Sequence, residues 1–463
     1  MKFRVERDAL GEAVAWVARA LPSRPVVPVL AGLLLEAGDG LVLSCFDYEI
    51  SARVRIDADV AEPGTALVPG RLLAEIIRSL PSQSAEFTSA ADAVGLTCGS
   101  AEFMLVTLPL EDFPALPEPP SAAGTVDGGV LAAAAGQVVP AASRDDTLPM
   151  LTGVCLDFDG EKITLAATDR YRLAVREIPW APTDSALRAA ALVPARTLAD
   201  VARTMAAGVP VTIAFGASGA GNAVTAGAGQ RSSRPGSEEP RPAEGMISFA
   251  GGGRRLTARL IAGEFIRYRS RFPSEFSCRA EVPAGPFTEA VRRVSLVAER
   301  ASPVRLAFGT GIVVVEAQAE GRARAVETVT ADFDGDEPVI SFNPHYLLDG
   351  LSAVAVDAPS RGSGTSGDAS GEAPPESGGR IRIEFTSPAK PALITWAPGA
   401  VPAARQQDTA PADGERDAAP ADGAAAERVP DDVAQDDAAP EAAAPEAAAF
   451  RYLVVPLRIP ARG

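Results

Sequence analysis

Histidine and lysine are nearly absent from this 463-residue chain, which has one histidine and three lysines against 40 arginines. A Ser-His-Asp arrangement, or a metal site with an imidazole ligand, would have to be built on the single histidine, His345. That alternative stays open, but we expect His345 to be a solvated residue in the first turn of a helix. The arginine excess, with abundant alanine and glycine, is typical of a GC-rich genome and is weak evidence for phosphate binding.

Cysteine is also scarce, and long apolar runs are missing. The four cysteines are far apart and form no CxxC pair, so we expect buried, reduced thiols rather than disulfides or a metal site. No run of about 18 apolar residues occurs, and the first ten residues contain no apolar signal core. We therefore expect a cytoplasmic protein with no secretion signal and no membrane span.

Basic residues are fewer than acidic ones, and the net charge is −17. Residues 398–449 hold twelve Asp or Glu and only three Arg, which is about half of that excess. The segment alternates Ala, Pro, Asp and Glu, so we expect it to be a disordered acidic insertion. Biased composition predicts two more disordered insertions, at 216–245 and 358–379. The remainder is only mildly acidic, and binding to a polyanion is not excluded.

One hairpin pattern occurs three times along the chain. The turns fall at Gly38–Gly40, Asp159–Gly160 and Gly309–Gly311, between alternating apolar residues, and a further strand follows each hairpin. Each unit also has one amphipathic helix before the hairpin and one after it. The second helices are expected at 71–80, with Leu72 on the face toward the core, at 196–205 and, in the third unit, after an N-cap at Asn343.

The repeat predicts an α+β fold with three domains, at 1–121, 126–270 and 271–463. Pro69 and Pro194 occupy matching places before the second helix, and we align Pro344 with them. Three unrelated α+β domains are the alternative that the pattern leaves open.

Similar units placed side by side could continue their sheets from one unit to the next, with all helices on one side. A closed ring would then remove the exposed sheet edges. The outward helix faces would line the hole, and a basic lining binds a polyanion without reading its sequence. The candidate lining residues are Arg71, Arg78, Arg196, Arg203, Arg292 and Arg293.

Several segments carry a family resemblance. They are MKFRVERDALGEAV, SRPVVPVLAGLLLEA, FMLVTLPLEDFPALP, DDTLPMLTGV, ATDRYRLAVREI, ALVPARTL, FNPHYLLDGLSA and RYLVVPLRI. Through them the chain resembles the bacterial DNA polymerase III beta subunit, the beta sliding clamp, over its whole length except the three biased insertions. The resemblance implies three repeated sliding-clamp (processivity-fold) domains, with helices inside and sheets outside. These would form half of a six-domain ring, closed by a head-to-tail homodimer around double-stranded DNA.

The same resemblance implies a function. The chain would be a DNA sliding clamp, a processivity factor that tethers the replicative DNA polymerase and other clamp-motif proteins. It would have no catalytic activity, cofactor or metal, and a separate clamp loader would open the ring. It would lie in the cytoplasm with the nucleoid. The alternative is a clamp paralogue that acts as a protein-interaction scaffold in repair, which the unusual insertions and Ile266 motivate.

Site residues follow from the resemblance position by position. DNA contacts are implied for Arg24, Arg71, Arg196 and Arg203. A dimer interface is implied between Phe103 and Leu105 of one chain and Leu296 and Val297 of the next. A partner-peptide pocket between the second and third domains is implied for Leu151, Thr168, Arg170, Tyr171, Arg172, Leu173, Ile266, Tyr346, Leu453, Val454, Val455, Pro456, Leu457 and Arg458.

The chain departs from the family pattern at two positions near this pocket. Ile266 stands where the family often has proline, and Ser270 stands where arginine is frequent. Packing of the Tyr171–Leu173 strand without any binding role is the competing interpretation.

Enzyme motifs are weak throughout. The glycines at 216–221 complete neither a Walker A motif nor a GxGxxG motif, and a linker is the better interpretation. Asp145, Asp146 and Asp169 could be metal carboxylates, but we expect turn residues. A hydrolase or nucleotide-binding enzyme is therefore the least supported class.

Overall fold

The computed structural model describes most of the chain outside the biased segments. The described residues are 1–90, 92–205, 208–216, 241–242, 245–299, 302–319, 321–356, 379–397 and 450–457. Nearly all of 358–379 and 398–449 lies outside them. Within 216–245, Gly216 ends a strand, and Arg241–Pro242 pairs in parallel with residues 189 and 190.

The first unit buries one face of each of its helices. In the first helix Leu10, Val14 and Val17 are buried at helical spacing. Leu72 of the second helix was expected in the core but is 47% exposed, because the buried face runs through Leu73 and Ile76 instead. The elements are β1 (Lys2–Val5), α1 (Arg7–Val17), β2 (Gly32–Gly38), β3 (Gly40–Phe46), β4 (Ile50–Ile56), β5 (Asp59–Glu62), β6 (Gly64–Pro69), α2 (Gly70–Ser79), β7 (Ala85–Ser89), β8 (Ala93–Cys98) and β9 (Ala101–Val106).

The second unit repeats this order. Asp127 caps its first helix by accepting a hydrogen bond from the Val130 amide at 2.9 Å, which satisfies one free donor of the first turn. The elements are β10 (Ala122–Asp127), α3 (Gly128–Val138), β11 (Gly153–Asp159), β12 (Lys162–Thr168), β13 (Arg172–Pro179), β14 (Ala181–Pro182), β15 (Arg188–Pro194), α4 (Ala195–Thr204), β16 (Pro210–Gly216), β17 (Arg241–Pro242), β18 (Met246–Gly251) and β19 (Arg254–Arg259).

The third unit follows the same plan. The predicted cap at Asn343 is confirmed, since its side chain accepts from the amides of His345 and Tyr346. The alignment on Pro344 is one residue late, because the residue preceding the second helix is Pro69, Pro194 or Asn343. The elements are β20 (Cys278–Pro283), α5 (Ala284–Ser295), β21 (Val304–Gly309), β22 (Ile312–Ala319), β23 (Ala323–Thr330), β24 (Asp332–Asp334), β25 (Val339–Phe342), α6 (Pro344–Ala355), β26 (Arg380–Phe385), β27 (Ala392–Ala397) and β28 (Arg451–Val454).

The last strand is shorter than the sequence pattern suggests. A strand is expected over residues 451–459, but β28 ends at Val454. Pro456 has no amide hydrogen to donate, which disfavours further sheet pairing there. The amides of Val455 and Leu457 instead donate to the carbonyls of Tyr171 and Ser341.

The turn that follows each hairpin has the same backbone conformation in all three units. Tyr48, Arg170 and Gly321 stand at the same place in the three units, with φ of 72°, 80° and 70°. This left-handed region disfavours residues with a Cβ atom. In the first two units the preceding residue compensates, since Asp47 and Asp169 each accept two amide hydrogen bonds across the turn.

Two of the four sheets cross from one unit to the next. The nine-stranded sheet has the order β14-β10-β16-β18-β19-β4-β3-β2-β6, so β19 of the second unit pairs with β4 of the first. The ten-stranded sheet has the order β17-β15-β11-β12-β13-β28-β27-β26-β20-β24, so β28 pairs with β13. Both junctions are antiparallel and join the last strand of one unit to the fourth strand of the unit before it.

The two remaining sheets each belong to one unit. They are β5-β1-β7-β8-β9 in the first unit and β23-β22-β21-β25 in the third. Within the described residues β9 pairs only with β8, and β23 pairs only with β22. Their outer edges therefore carry unpaired backbone groups in a single chain.

Helices pack in pairs behind these sheets, α1 on α2, α3 on α4 and α5 on α6. At the second junction α3 also contacts α6, where the buried Gln137 side chain donates to the Ala353 carbonyl at 2.8 Å. At the first junction Arg254 pairs with Glu12 at 3.6 Å and lies 5.9 Å from the Trp16 ring centroid. The three α+β units predicted from the repeat are confirmed.

Two helix glycines give opposite predictions for stability. A Cβ at Gly350 of α6 would meet the Tyr452 ring at 2.5 Å, so we expect G350A to lower the free energy of unfolding by about 1–3 kcal/mol through overpacking. A Cβ at Gly136 of α3 meets nothing within 4 Å, so G136A should raise the free energy of unfolding by about 0.5–1 kcal/mol. Denaturant unfolding of both variants checks the pair, and equal effects would contradict the packing described.

Candidate functional site

The turn between β12 and β13 carries residues 168–172, which were predicted to line the partner-peptide pocket. Asp169 accepts hydrogen bonds from the amides of Tyr171 and Arg172 at 3.0 Å each. The Thr168 hydroxyl accepts from the Arg170 amide at 3.2 Å and donates to the Arg172 carbonyl at 2.6 Å. These bonds hold Arg170 in its left-handed conformation and project Arg170 and Tyr171 outwards, both exposed.

Arg172 turns the other way and joins the second and third units. Its Nε pairs with Asp169 at 3.0 Å, and its two Nη atoms donate to Asp349 on α6 and to the Pro140 carbonyl. The guanidinium lies 4.5 Å from the Tyr346 ring centroid, and its side chain is only 10% exposed. Arg172 was predicted to line the peptide pocket; it lines the cleft described below, and its charged group is held in this interdomain contact.

Tyr346 completes the contact. Its ring stacks on Tyr171 with centroids 6.1 Å apart, and its carbonyl accepts from the Tyr452 hydroxyl at 2.8 Å. Burial, followed by the nearby Asp169 carboxylate, raises the pKa of Tyr346 above its ordinary value. The ring therefore stays a neutral phenol at physiological pH.

A polar cleft of about 730 Å³ opens beside this contact. Asp145 forms a turn there by accepting hydrogen bonds from Thr147, and these bonds lower the pKa of its carboxyl group. His345 is exposed in the first turn of α6, so the expectation for this residue is confirmed. The lining residues are Ala142, Ser143, Arg144, Asp145, Asp169, Arg170, Tyr171, Arg172, His345, Tyr346 and Asp349.

An apolar cluster lies on the outer face of the ten-stranded sheet, separate from the main core. Leu173 on β13 stands directly opposite Leu453 on β28, so the cluster forms only where the second and third units meet. Its buried members are Cys155, Ala166, Leu173, Val175, Leu192, Tyr268, Leu393 and Leu453. The connector between the units covers one side with the partly buried Ile261, Phe265, Ile266, Phe272 and Phe276.

The structure brings only part of the predicted pocket together. Leu173, Leu453 and Ile266 share the cluster, and Arg170, Tyr171 and Tyr346 line the cleft. Val454 is fully buried in the main core, because strand alternation turns it to the face opposite Leu453. Leu151 and Thr168 are buried, at 8% and 5% exposed, and Pro456 is buried as well. Val455 is partly exposed, Leu457 is exposed, and Arg458 lies outside the described residues.

Several members of the cluster were not predicted. Cys155, Ala166, Val175 and Leu192 alternate with core residues on their strands, and this period of two was the available signal. Tyr268 and Phe272 had no such sequence signal, because they lie in a connector with little regular structure.

The first junction has a different surface at the matching place. Ser51 on β4 stands opposite Thr257 on β19, as Leu173 stands opposite Leu453. Ser51, Thr257, Ser44 and Ser248 are all buried hydroxyl residues, and Thr257 donates to Ser248 at 3.1 Å. The two junctions therefore share their backbone pairing but not the chemistry of the side chains at this place.

The predicted DNA-contact arginines are all exposed, and two of them form hydrogen bonds or an ion pair within the chain. Arg71 donates to the carbonyls of Leu21 and Pro22, and Arg203 pairs with Asp200. Arg24 and Arg196 form no ion pair among the residues that the structure describes. Of the other proposed lining residues, Arg78 is exposed, while Arg292 pairs with Glu289 and Arg293 with Glu327.

The predicted dimer residues fall into two groups. Leu296 is 82% exposed, and Phe103 and Val297 are partly exposed. Leu105 is 2% exposed and packs into the core of its own unit, so its side chain has little surface to offer a partner. On the same strand Met104 and Val106 point outwards at 70% and 69% exposed.

Family models decide what kind of protein carries these features. Models of the N-terminal, central and C-terminal domains of the DNA polymerase III beta subunit match residues 1–117, 125–266 and 269–358. The chain belongs to this family. Its recognition as a beta sliding clamp from the sequence is thereby confirmed.

Curated relatives are beta sliding clamps. The beta sliding clamp of Streptomyces coelicolor is 48% identical over 86% of this chain and 94% of its own length. That of Micrococcus luteus is 44% identical over 71% of this chain and 98% of its own. The beta sliding clamp homologue GriR of Streptomyces muensis is 42% identical over 76% of this chain and 88% of its own.

Solved clamps share the fold. The DNA polymerase sliding clamp of Bacillus subtilis matches with a TM-score of 0.73 at 22% identity, over 99% of both chains. A sliding clamp of Pseudomonas aeruginosa bound to griselimycin also gives 0.73 at 22% identity, over 99% of this chain and 100% of its own. In the described part of this clamp chain, no helix is long and apolar enough to cross a membrane.

The interdomain arginine gives a direct prediction. Replacing Arg172 with alanine leaves Asp169 unpaired near the Tyr346 ring, so we expect the free energy of unfolding to fall by about 2–3 kcal/mol. The exposed neighbour Arg170 serves as the control, and R170K should change the free energy by less than about 0.5 kcal/mol. Denaturant unfolding measures both, and an R172A variant as stable as R170K would contradict the interdomain role.

Proposed function

We propose that this chain is a DNA sliding clamp that closes head to tail with a second copy into a ring around double-stranded DNA. In that ring it acts as a processivity factor and tethers the replicative DNA polymerase. The observation that carries the proposal is the strand pairing between units. It occurs twice within the chain and leaves one matching pair of strand edges unused.

The open edges of β9 and β23 belong to the same strands of their units as those paired at the two junctions. The last strand of the second unit pairs with the fourth strand of the first, and the last strand of the third unit pairs with the fourth strand of the second. The last strand of the first unit, β9, and the fourth strand of the third unit, β23, have open edges among the described residues. Pairing β9 of one copy with β23 of another continues the pattern, and two such junctions close a six-unit ring.

Exposed apolar side chains support this pairing. Met104 and Val106 lie on β9, Val326 lies on β23 at 49% exposed, and Leu296 at the end of α5 is 82% exposed. Large apolar groups on strand edges invite association with another chain. A homodimer would cover them.

The second junction supplies the partner site. A short apolar motif of a polymerase or repair protein would bind beside Leu173, Leu453 and Ile266, with the polar cleft receiving its flanking residues. The first junction offers buried hydroxyl groups at the matching place, so we propose one such site in each chain. A clamp loader and other clamp-motif proteins would use it in turn.

DNA binding would rest on weak and exchangeable contacts. Arg24 and Arg196 are exposed cations without an ion pair among the described residues, and they fit phosphate groups without reading bases. The ring would be retained by topology, which permits sliding. We propose accordingly that the chain has no catalytic activity of its own and associates with the nucleoid.

The replicative role is better supported than the paralogue role. Identity and coverage are higher against the Streptomyces coelicolor beta sliding clamp than against the homologue GriR. Restoration of replication after depletion of the resident clamp would separate the two roles.

Retention on DNA tests the proposed function. After loading by a clamp loader onto nicked circular DNA, the protein should stay bound through a high-salt wash, because a closed ring cannot dissociate sideways. Linearising the circle should release it within the time needed to slide off an end. Salt-resistant binding that persists on linear DNA would contradict the topological mechanism.

A charge placed at the open edge tests the dimer. We expect L296R to shift the mass measured by light scattering from that of a dimer to that of one 47.6 kDa chain at micromolar concentration, because an unpaired cation is costly in an apolar interface. The control is L110R, at a residue that is 43% exposed on the connector after the first unit. A dimer unaffected by L296R would place the interface elsewhere.

A further inference from the structure

A buried carboxylate lies beneath the connector that forms one wall of the apolar cluster. Asp157 is on β11, and its side chain is 9% exposed. Its Oδ2 atom accepts hydrogen bonds from the Tyr268 hydroxyl at 2.9 Å and from Nη2 of Arg269 at 2.8 Å. Both donors belong to the connector, more than a hundred residues further along the chain.

Two further contacts hold the connector near the pocket. The Ile261 amide donates to the Leu192 carbonyl at its start, and Phe272 lies under the Arg451 guanidinium, 4.7 Å from it, near its end. Between them, Gly263 has a φ of 121°, which only glycine adopts readily. Ile266 lies in this stretch, two residues before the donor Tyr268.

The two donors, Tyr268 and Arg269, also contact each other. Nε of Arg269 donates to the Tyr268 hydroxyl at 3.3 Å, and the guanidinium lies 5.8 Å from the ring centroid. The Tyr268 ring is 6% exposed and packs in the same cluster as Leu173 and Leu453. A shift of this ring would therefore move the pocket wall and the pocket floor relative to each other.

The first unit has a carboxylate at the matching place, but that carboxylate does not bond to a connector. Glu36 follows Gly32 by four residues on β2, as Asp157 follows Gly153 on β11. Glu36 pairs with Arg53 on β4, two strands away in the sheet, at 3.5 Å, and its side chain is 37% exposed. The second unit has a buried carboxylate that bonds to the connector instead.

We propose that Asp157 is a positioning residue for partner binding. By holding Tyr268 and Arg269, it fixes Ile266 against the apolar cluster so that the pocket is formed before a partner arrives. Preformed sites bind more tightly because less ordering remains to be done on association. This inference rests on the proposed partner site at the second junction.

Peptide affinity in the full-length protein tests the inference. The probe is a fluorescein-labelled peptide copied from the clamp-binding segment of the host's replicative polymerase, followed by fluorescence anisotropy. Asp157→Asn keeps the shape but removes the charge, and we expect about fivefold to tenfold weaker binding. Tyr268→Phe removes only the hydroxyl and should weaken binding in the same direction, whereas the control Glu36→Gln should leave it unchanged.

A double-mutant cycle separates positioning from a general loss of structure. If Asp157 acts through Ile266, then Asp157→Asn should weaken binding little further in an Ile266→Ala background. Retention on circular DNA and the thermal midpoint are measured in parallel to show that the variants are folded rings. Fully additive losses, or wild-type affinity in folded Asp157→Asn, would overturn the inference. A peptide that fails to bind the wild-type protein would overturn the proposed partner site as well.

Discussion

Backbone hydrogen bonding at the edges of the units is the constraint on which the rest of this structure depends. A sheet edge leaves a row of donors and acceptors that must be paired, covered or solvated. Here the last strand of each later unit pairs with the fourth strand of the unit before it, which builds nine-stranded and ten-stranded sheets across the junctions. The helices follow as pairs behind the sheets, and α3 meets α6 where the second and third units join.

Identical pairing does not make the junctions equivalent in function. The position of Leu173 and Leu453 at the second junction is occupied by Ser51 and Thr257 at the first. Strand geometry fixes which positions face outwards, and side-chain identity then decides whether the surface can hold an apolar group. One repeated backbone therefore provides an apolar cluster at one junction and buried hydroxyl residues at the matching place of the other.

Much of this fold could be predicted from local sequence signals. The three hairpins followed from glycine turns between alternating apolar residues, and the cap at Asn343 followed from the residue types that start helices. Leu72 shows the limit, because helical spacing gives the width of an apolar face but not its centre. The family resemblance placed Leu173 and Leu453 in one pocket, but local signals alone could not, since 280 positions separate them in the chain.

The candidate site was less predictable for the same reason. Arg172 has the sequence context of a surface strand residue, yet its guanidinium is held by Asp349 and Pro140 from other elements. Val454 was assigned to the pocket with its neighbours, although alternation along a strand turns it inwards. The bond from Tyr268 to Asp157 spans 111 positions and has no local signature at all.

Hydrogen–deuterium exchange at the two open edges tests the central claim most directly. In the native assembly, we expect the outward-facing amides of β9 and β23 to exchange as slowly as those of β4 and β19, which are paired at the first junction. Dilution to the monomer should make only the β9 and β23 edges exchange quickly. Fast exchange at β9 and β23 in the undiluted protein would show that these edges are solvated, and would contradict closure of the ring by strand pairing.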